Sequence, residues 1–141
     1  MKVIQAILIV SLSLLFFNCG DDDKNSLNFS AVALKQTQWT GTLYQSYISH
    51  GESYNNIYNI GVIFYSETEG KTTVTPQTTP ENSYDSNFKF SINEKLLSIT
   101  NGGDIEGQWL LIESNHNKII LEQGTGGKNA SKKVLTLNRA Y

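Results

Sequence analysis

From Gln36 to the end of the chain, the sequence reads as one strand after another, and no ten-residue window repeats apolar residues at helical spacing. Alternation with a period of two marks a strand with one buried face. It is clearest where Phe88, Phe90 and Ile92 alternate with Lys89 and Ser91. It recurs where Tyr58, Ile60, Val62 and Phe64 alternate with Asn59, Gly61, Ile63 and Tyr65. The other candidates are Trp39 to about Ile48, Thr72 to Thr75, Leu96 to Thr100, Gln108 to Glu113, Lys118 to Glu122 and Lys133 to Asn138, eight in all. Only Leu27 to Leu34 offers enough for a helical turn before the first strand.

Turn signals stand between the strands: Glu69-Gly70-Lys71, Asn93-Glu94-Lys95, Asn101-Gly102-Gly103-Asp104, Asn115-His116-Asn117 and Gly124-Thr125-Gly126-Gly127. Such residues accept positive φ or cap their own backbone, as tight hairpins require. Short turns favour antiparallel neighbours, and the one long connector is Pro76 to Ser83. Eight strands in this space predict an all-β fold, a single antiparallel eight-stranded up-and-down barrel that closes its own edges. At eight strands the interior is either filled by side chains or holds one small ligand.

The amino terminus has a different character. Met1-Lys2 gives a short positive start, and Val3 to Phe17 is an apolar run interrupted only by Gln5, Ser11 and Ser13. That is too short to span a bilayer, which takes about twenty residues, and matches the apolar stretch of a secretory signal. Residues 1–18 hold thirteen hydrophobic residues, leaving 19–141 a modest supply that suits one small core and no second domain. Leu15-Phe16-Phe17-Asn18-Cys19-Gly20 follows, and Cys19 is the only cysteine. This stretch resembles the lipobox of bacterial lipoproteins, in which the signal is cut before a cysteine that becomes lipidated. The resemblance implies a signal peptide over 1–18, lipid on Cys19, and a membrane attachment that is covalent. Three acyl chains exceed what stable anchoring needs.

Residues 19–26 continue as an acidic leash, Gly20-Asp21-Asp22-Asp23-Lys24-Asn25-Ser26, with no apolar side chain after the cysteine. It cannot bury enough surface to offset its ordering entropy. At roughly 3.6 Å per residue it lets the domain of residues 27–141 stand about 25 Å off the bilayer. The run of aspartates also looks like the signal that sends lipoproteins of the Bacteroidetes to the cell surface. The expected location is the outer membrane, facing either the periplasm or the cell surface. Residues 24–141 balance ten basic against ten acidic residues, so the domain has no electrostatic footprint for nucleic acid.

A wider resemblance rests on Leu34-x-x-x-x-Trp39-x-Gly41, Asn87-Phe88-x-Phe90, Lys95-Leu96-Leu97-x-Ile99, Gly107-x-Trp109, Asn117-Lys118-Ile119-Ile120-Leu121 and Leu135-Thr136-Leu137-x-Arg139. In this order they look like the lipocalin-like small lipoproteins of the Bacteroidetes. The resemblance implies a lipocalin-like barrel, and most such proteins have no assigned activity. True lipocalins carry Gly-x-Trp on the first strand, whereas here the order is Trp39-x-Gly41.

Catalytic chemistry finds no footing. With Cys19 consumed by lipid, no thiol remains, and the two histidines, His50 and His116, sit in turn-like surroundings. Their spacing offers no zinc site, so neither a metal nor a cofactor is expected. Asn101-Gly102-Gly103-Asp104-Ile105-Glu106 lacks the ligand periodicity of a calcium loop and reads as a hairpin turn. Gly124-Thr125-Gly126-Gly127-Lys128-Asn129 lacks the spacing of a phosphate loop.

Tyrosine is the remaining signal: Tyr44, Tyr47, Tyr54, Tyr58, Tyr65 and Tyr84 fall in the first half of the domain. Tyrosine joins an apolar ring to a polar tip, which suits a ligand-lined mouth or a surface touching a partner. The expected function is non-catalytic binding of a small apolar or amphipathic ligand, with Trp39, Tyr58, Phe64, Phe90 and Trp109 as candidate contacts. The alternative is a protein-interaction module or enzyme inhibitor, of the lysozyme-inhibitor kind, displayed at the cell envelope. Its surface would lie around Tyr47 to Tyr58. A cavity of roughly 300 Å³ or more favours the first reading; a filled interior favours the second.

Overall fold

The computed structural model describes residues 27–124 and 131–141. The expectations for the signal peptide, Cys19, the leash and most of the Gly124–Asn129 loop lie outside the described residues. Eight antiparallel strands form a closed barrel in sequence order: β1 (Thr37–Ser49), β2 (Glu52–Phe64), β3 (Glu69–Pro76), β4 (Tyr84–Asn93), β5 (Leu96–Thr100), β6 (Gly107–Ser114), β7 (Lys118–Gly124) and β8 (Lys132–Arg139). β1 closes the ring against β8, from Trp39↔Arg139 to Ser46↔Lys132. A one-turn helix, α1 (Ala31–Leu34), precedes β1 and is capped by the Ser30 hydroxyl, which accepts from Ala33 N at 3.2 Å.

Alternation sets the core. Trp39 and Leu43 point inward from β1, Ile60, Val62 and Phe64 from β2, and Phe88 and Phe90 from β4. Leu97, Ile99, Trp109, Ile119, Leu121, Leu135 and Leu137 complete the lining, all essentially excluded from solvent. Phe64, Phe88 and Phe90 meet edge to face, with the Phe64 and Phe90 ring centres 4.9 Å apart. Such geometry adds to the energy of burial.

Both ends are stoppered. At one end, Leu34 of α1 is fully buried, with Leu27, Phe29 and Ala31 packed beside it. Ser114 Oγ fixes this segment by donating to Leu27 O at 3.0 Å. At the other, the β5–β6 connection makes a 3-10 turn, Gly103–Ile105, that drives Ile105 to zero exposure. Trp109 Nε1 donates to Ile105 O at 2.7 Å, so the indole is both core and anchor for that turn.

Two boundaries differ from the sequence expectation. Glu69-Gly70-Lys71 is not a turn but the start of β3; the reversal lies at Tyr65–Thr68, where Ser66 Oγ accepts from Thr68 N and Glu69 N. Position 70 faces inward and must be glycine, because a Cβ there would stand 2.3 Å from Phe88 Cζ and 2.5 Å from Ile63 O. The glycine makes room for a ring rather than for a reversal. The second difference is that β2 begins at Glu52, ahead of the alternation that starts at Tyr58.

Candidate functional site

β1 and β2 are the longest strands, thirteen residues each, and they outrun their neighbours. β8 leaves β1 at Ser46, and β3 leaves β2 at Pro76, opposite Tyr58. Beyond those points, among the described residues, the two strands pair only with each other, through Tyr47↔Tyr54, Ile48↔Ser53 and Ser49↔Glu52. His50 and Gly51 make the two-residue turn, with φ of 53° and 82°. Positive φ at both central residues is the geometry that matches the twist of a hairpin. The result is a two-stranded ribbon projecting from the end of the barrel opposite α1.

Tyr47 and Tyr54 lie in phase with the inward-facing residues of their strands, so they continue the interior face past the rim. Their rings stack with centres 5.4 Å apart and planes 15° from parallel. The Tyr54 hydroxyl donates to Glu52 Oε2 at 3.0 Å, and on the opposite face Tyr44 donates to Asn55 Oδ1 at 2.8 Å. Tyr54 and Ile57 remain 41% and 46% exposed, values that leave apolar surface free to meet something.

Below the ribbon, the 3-10 turn is tied across the barrel. Tyr84 of β4 donates its hydroxyl to Asp104, Lys133 of β8 donates to Asp104 O at 2.7 Å, and Gln123 of β7 donates to Glu106 O at 3.1 Å. Desolvation raises the Tyr84 phenol above its ordinary pKa, and the Asp104 carboxylate raises it further, with Tyr58 adding to the effect. These ties turn the region read as a plain hairpin turn into a lid.

Of the five candidate ligand contacts, the structure brings Tyr58 and Trp109 to this end, Tyr58 half-buried against the core and Trp109 buried beneath the lid. Trp39, Phe64, Phe90 and Trp109 are at most 5% exposed. Both indole N–H groups are already used, Trp39 Nε1 by Thr37 Oγ1 at 2.8 Å and Trp109 by the lid. Thr37 in turn donates to Leu34 O, linking the indole to the α1 stopper.

The outer wall carries a separate depression of about 360 Å³, lined by Tyr65, Glu69, Asn87, Lys89 and Asn101 with Gly70 and Phe88 beneath. It lies where β4 passes from pairing with β3 to pairing with β5. Sequence reasoning missed it, since its residues are outward-facing and only Tyr65 stands out by type. Next to it Lys71 Nζ and Asp85 Oδ2 form a 2.6 Å ion pair across β3 and β4. That pair lowers the Asp85 pKa and raises that of Lys71.

No family model, no curated protein and no solved structure matches the chain.

Proposed function

We propose that this protein is a non-catalytic interaction module, of the lipocalin-like lipoprotein kind, tethered to the outer membrane by lipid on Cys19. It meets a protein partner through the tyrosine face of its β1–β2 ribbon. The observation that carries this reading is the combination of a barrel stoppered at both ends with an uncovered aromatic ribbon beyond one of them. Trp39, Phe64, Phe90 and Trp109 are at most 5% exposed and belong to one buried cluster, which supports binding on the outside.

Chain direction supports it. The described chain begins at Leu27 on the α1 end, and the ribbon is at the opposite end. An anchor at Cys19 therefore presents the ribbon away from the membrane, with the leash adding about 25 Å. Tyr47, Tyr54 and Tyr58 supply rigid, amphipathic contact area at low entropic cost, the property that enriches tyrosine in interfaces. Capture from the cell envelope with the full-length protein tests this. The wild-type chain should recover a partner that the Tyr47→Ser/Tyr54→Ser variant loses at unchanged fold. Equal recovery by both chains would defeat the reading.

A second reading, binding of a small amphipathic ligand, is favoured by the wall depression. Its volume is at the low end for small-molecule sites, and it joins a half-exposed phenol ring to amide and charged groups. Native mass spectrometry after exposure to cell lipid extract decides it, with a bound species lost on Tyr65→Ala as the supporting result. Lipidation has its own test. Cys19→Ala should abolish palmitate labelling, and labelling that survives would remove the anchor.

A further inference from the structure

The ribbon has an edge as well as a face, and the edge has its own chemistry. In an antiparallel hairpin closed by two residues, Ser49 and Glu52 form a hydrogen-bonded pair, and hydrogen-bonded and open pairs then alternate outward. Ser53, Asn55 and Ile57 therefore turn their backbone N–H and C=O groups away from β1, toward the side that β3 occupies further down. β3 itself stops at Pro76, which has no N–H to extend the ladder, and Gln77 turns aside to bond the Asn59 side chain at 3.3 Å. Among the described residues no strand pairs with Glu52–Ile57 on the side away from β1.

Free edges are usually blunted by lysine, proline or a bulge. This one is not. Ser53, Tyr54, Asn55, Asn56 and Ile57 include no charge and no proline, and the neighbouring Glu52 carboxylate already accepts from Tyr54. What fits such an edge is another extended, uncharged backbone, and the chain supplies one itself.

We infer that a second copy of this protein pairs with the Ser53–Ile57 edge of β2, antiparallel and two-fold symmetric about Asn55. The inference rests on the reading of this end as an interaction surface and names one partner for it. The register follows from the pattern. The outward-turned residues are centred on Asn55, so a two-fold axis there sets Asn55 opposite Asn55 of the second copy, and Ser53 opposite Ile57. Every residue with free backbone groups then meets another. Tyr54 faces Asn56 across the ladder, and no like charges are opposed. Moving the axis by one residue leaves Ser53 or Ile57 without a free partner, and moving it by half a residue sets free groups against groups already bonded to β1. The symmetry is that of an ordinary closed dimer. A ladder this short falls below the roughly 1,200–2,000 Å² of stable complexes, so pairing is weak in dilute solution and favoured where chains share one membrane.

The test uses the full-length protein in the membranes of cells that express it. Hydrogen-bonded antiparallel partners have Cα atoms about 5.5 Å apart, within disulfide range. Under mild oxidation, Asn55→Cys should give a reducible dimer several-fold above two controls: the wild-type chain, whose one cysteine is Cys19, and Ser91→Cys on the exposed wall of β4. Adding S53K and I57K opposes two ammonium groups on each outer rung and should suppress the dimer. Adding S53E with I57K instead opposes unlike charges and should restore it. The circular dichroism unfolding midpoint of each variant confirms that the barrel is intact. Cross-linking no greater than for Ser91→Cys overturns the inference, as does equal yield from all three Asn55→Cys chains. The partner-capture assay reads the tyrosine face independently. If capture still depends on Tyr47 and Tyr54 while Asn55→Cys stays monomeric, the self-pairing fails and the interaction reading stands.

Discussion

The barrel body and the ribbon are built from the same two strands yet follow opposite rules. Within the body, β1 and β2 place Trp39, Leu43, Ile60, Val62 and Phe64 inward, each less than 5% exposed. Past the rim, the same alternation continues through Tyr47 and Tyr54, of which Tyr54 is 41% exposed. Charge divides the chain in a related way. Between Lys35 and Glu67 the only charged residue is Glu52, whereas residues 67–141 carry seventeen of the twenty that follow residue 23. The β3–β8 wall is solubilised by charge, and the β1–β2 ribbon, apart from Glu52 at its tip, by amides and hydroxyls. A solvated surface needs no such exception; a surface kept for contact does, because charge at an interface core must be desolvated.

The comparison breaks first in the body. Trp109→Ala removes a fully buried ring and the donor that holds the lid through Ile105 O, and should cost about 3–5 kcal/mol in denaturant unfolding. A cost under about 1 kcal/mol would mean that the interior is not packed as described. Gly70→Ala forces a methyl against the Phe88 ring and the Ile63 carbonyl, and about 1–3 kcal/mol is expected from overpacking. Ser30→Ala removes the α1 cap, with about 1 kcal/mol expected. In the ribbon, Tyr54→Ser loses one stacked pair beyond the rim, so no more than about 0.5–1.5 kcal/mol should be lost. Its main effect should fall on partner capture. The smallest effect is at the lid.

That lid effect is a matter of pH. The Tyr84 phenol is held above its ordinary pKa by desolvation and by Asp104, so the folded state favours the neutral form. Its contribution to stability is present below the unfolded pKa of about 10 and is lost as pH rises through the folded value. Absorbance at 295 nm should show one tyrosine ionising after the others, and Asp104→Asn should move that step toward the rest. A single common step in the wild-type chain would mean that the Tyr84–Asp104 tie is absent in solution.

The strand count, the antiparallel order and the position of the helical turn were legible in the residues, because a period of two and short polar turns leave few alternatives to a closed meander. Gly70 misled because glycine serves both turns and crowded interiors, and only the Phe88 ring opposite shows which. The tyrosines were legible as a cluster, with a ligand-lined mouth and a partner surface both open as readings. Tyr58 and Phe64 share a face of β2, yet one reaches the rim and the other the core, a difference of position along the barrel that alternation cannot express. The lid was hidden for a further reason: Tyr84, Asp104 and Lys133 are far apart in the chain and meet only when β4, the β5–β6 turn and β8 share one end. The wall depression left no pattern at all, since it arises from a change of strand partners.

Hydrogen–deuterium exchange on the full-length protein, with and without detergent-solubilised cell envelope, tests most directly whether recognition occurs on the ribbon instead of inside the barrel. Peptides spanning Tyr44 to Tyr58 should gain protection when envelope is added, while those covering Trp109 and Leu121 stay unchanged. Protection gained in the core strands with the ribbon unaffected would contradict the account.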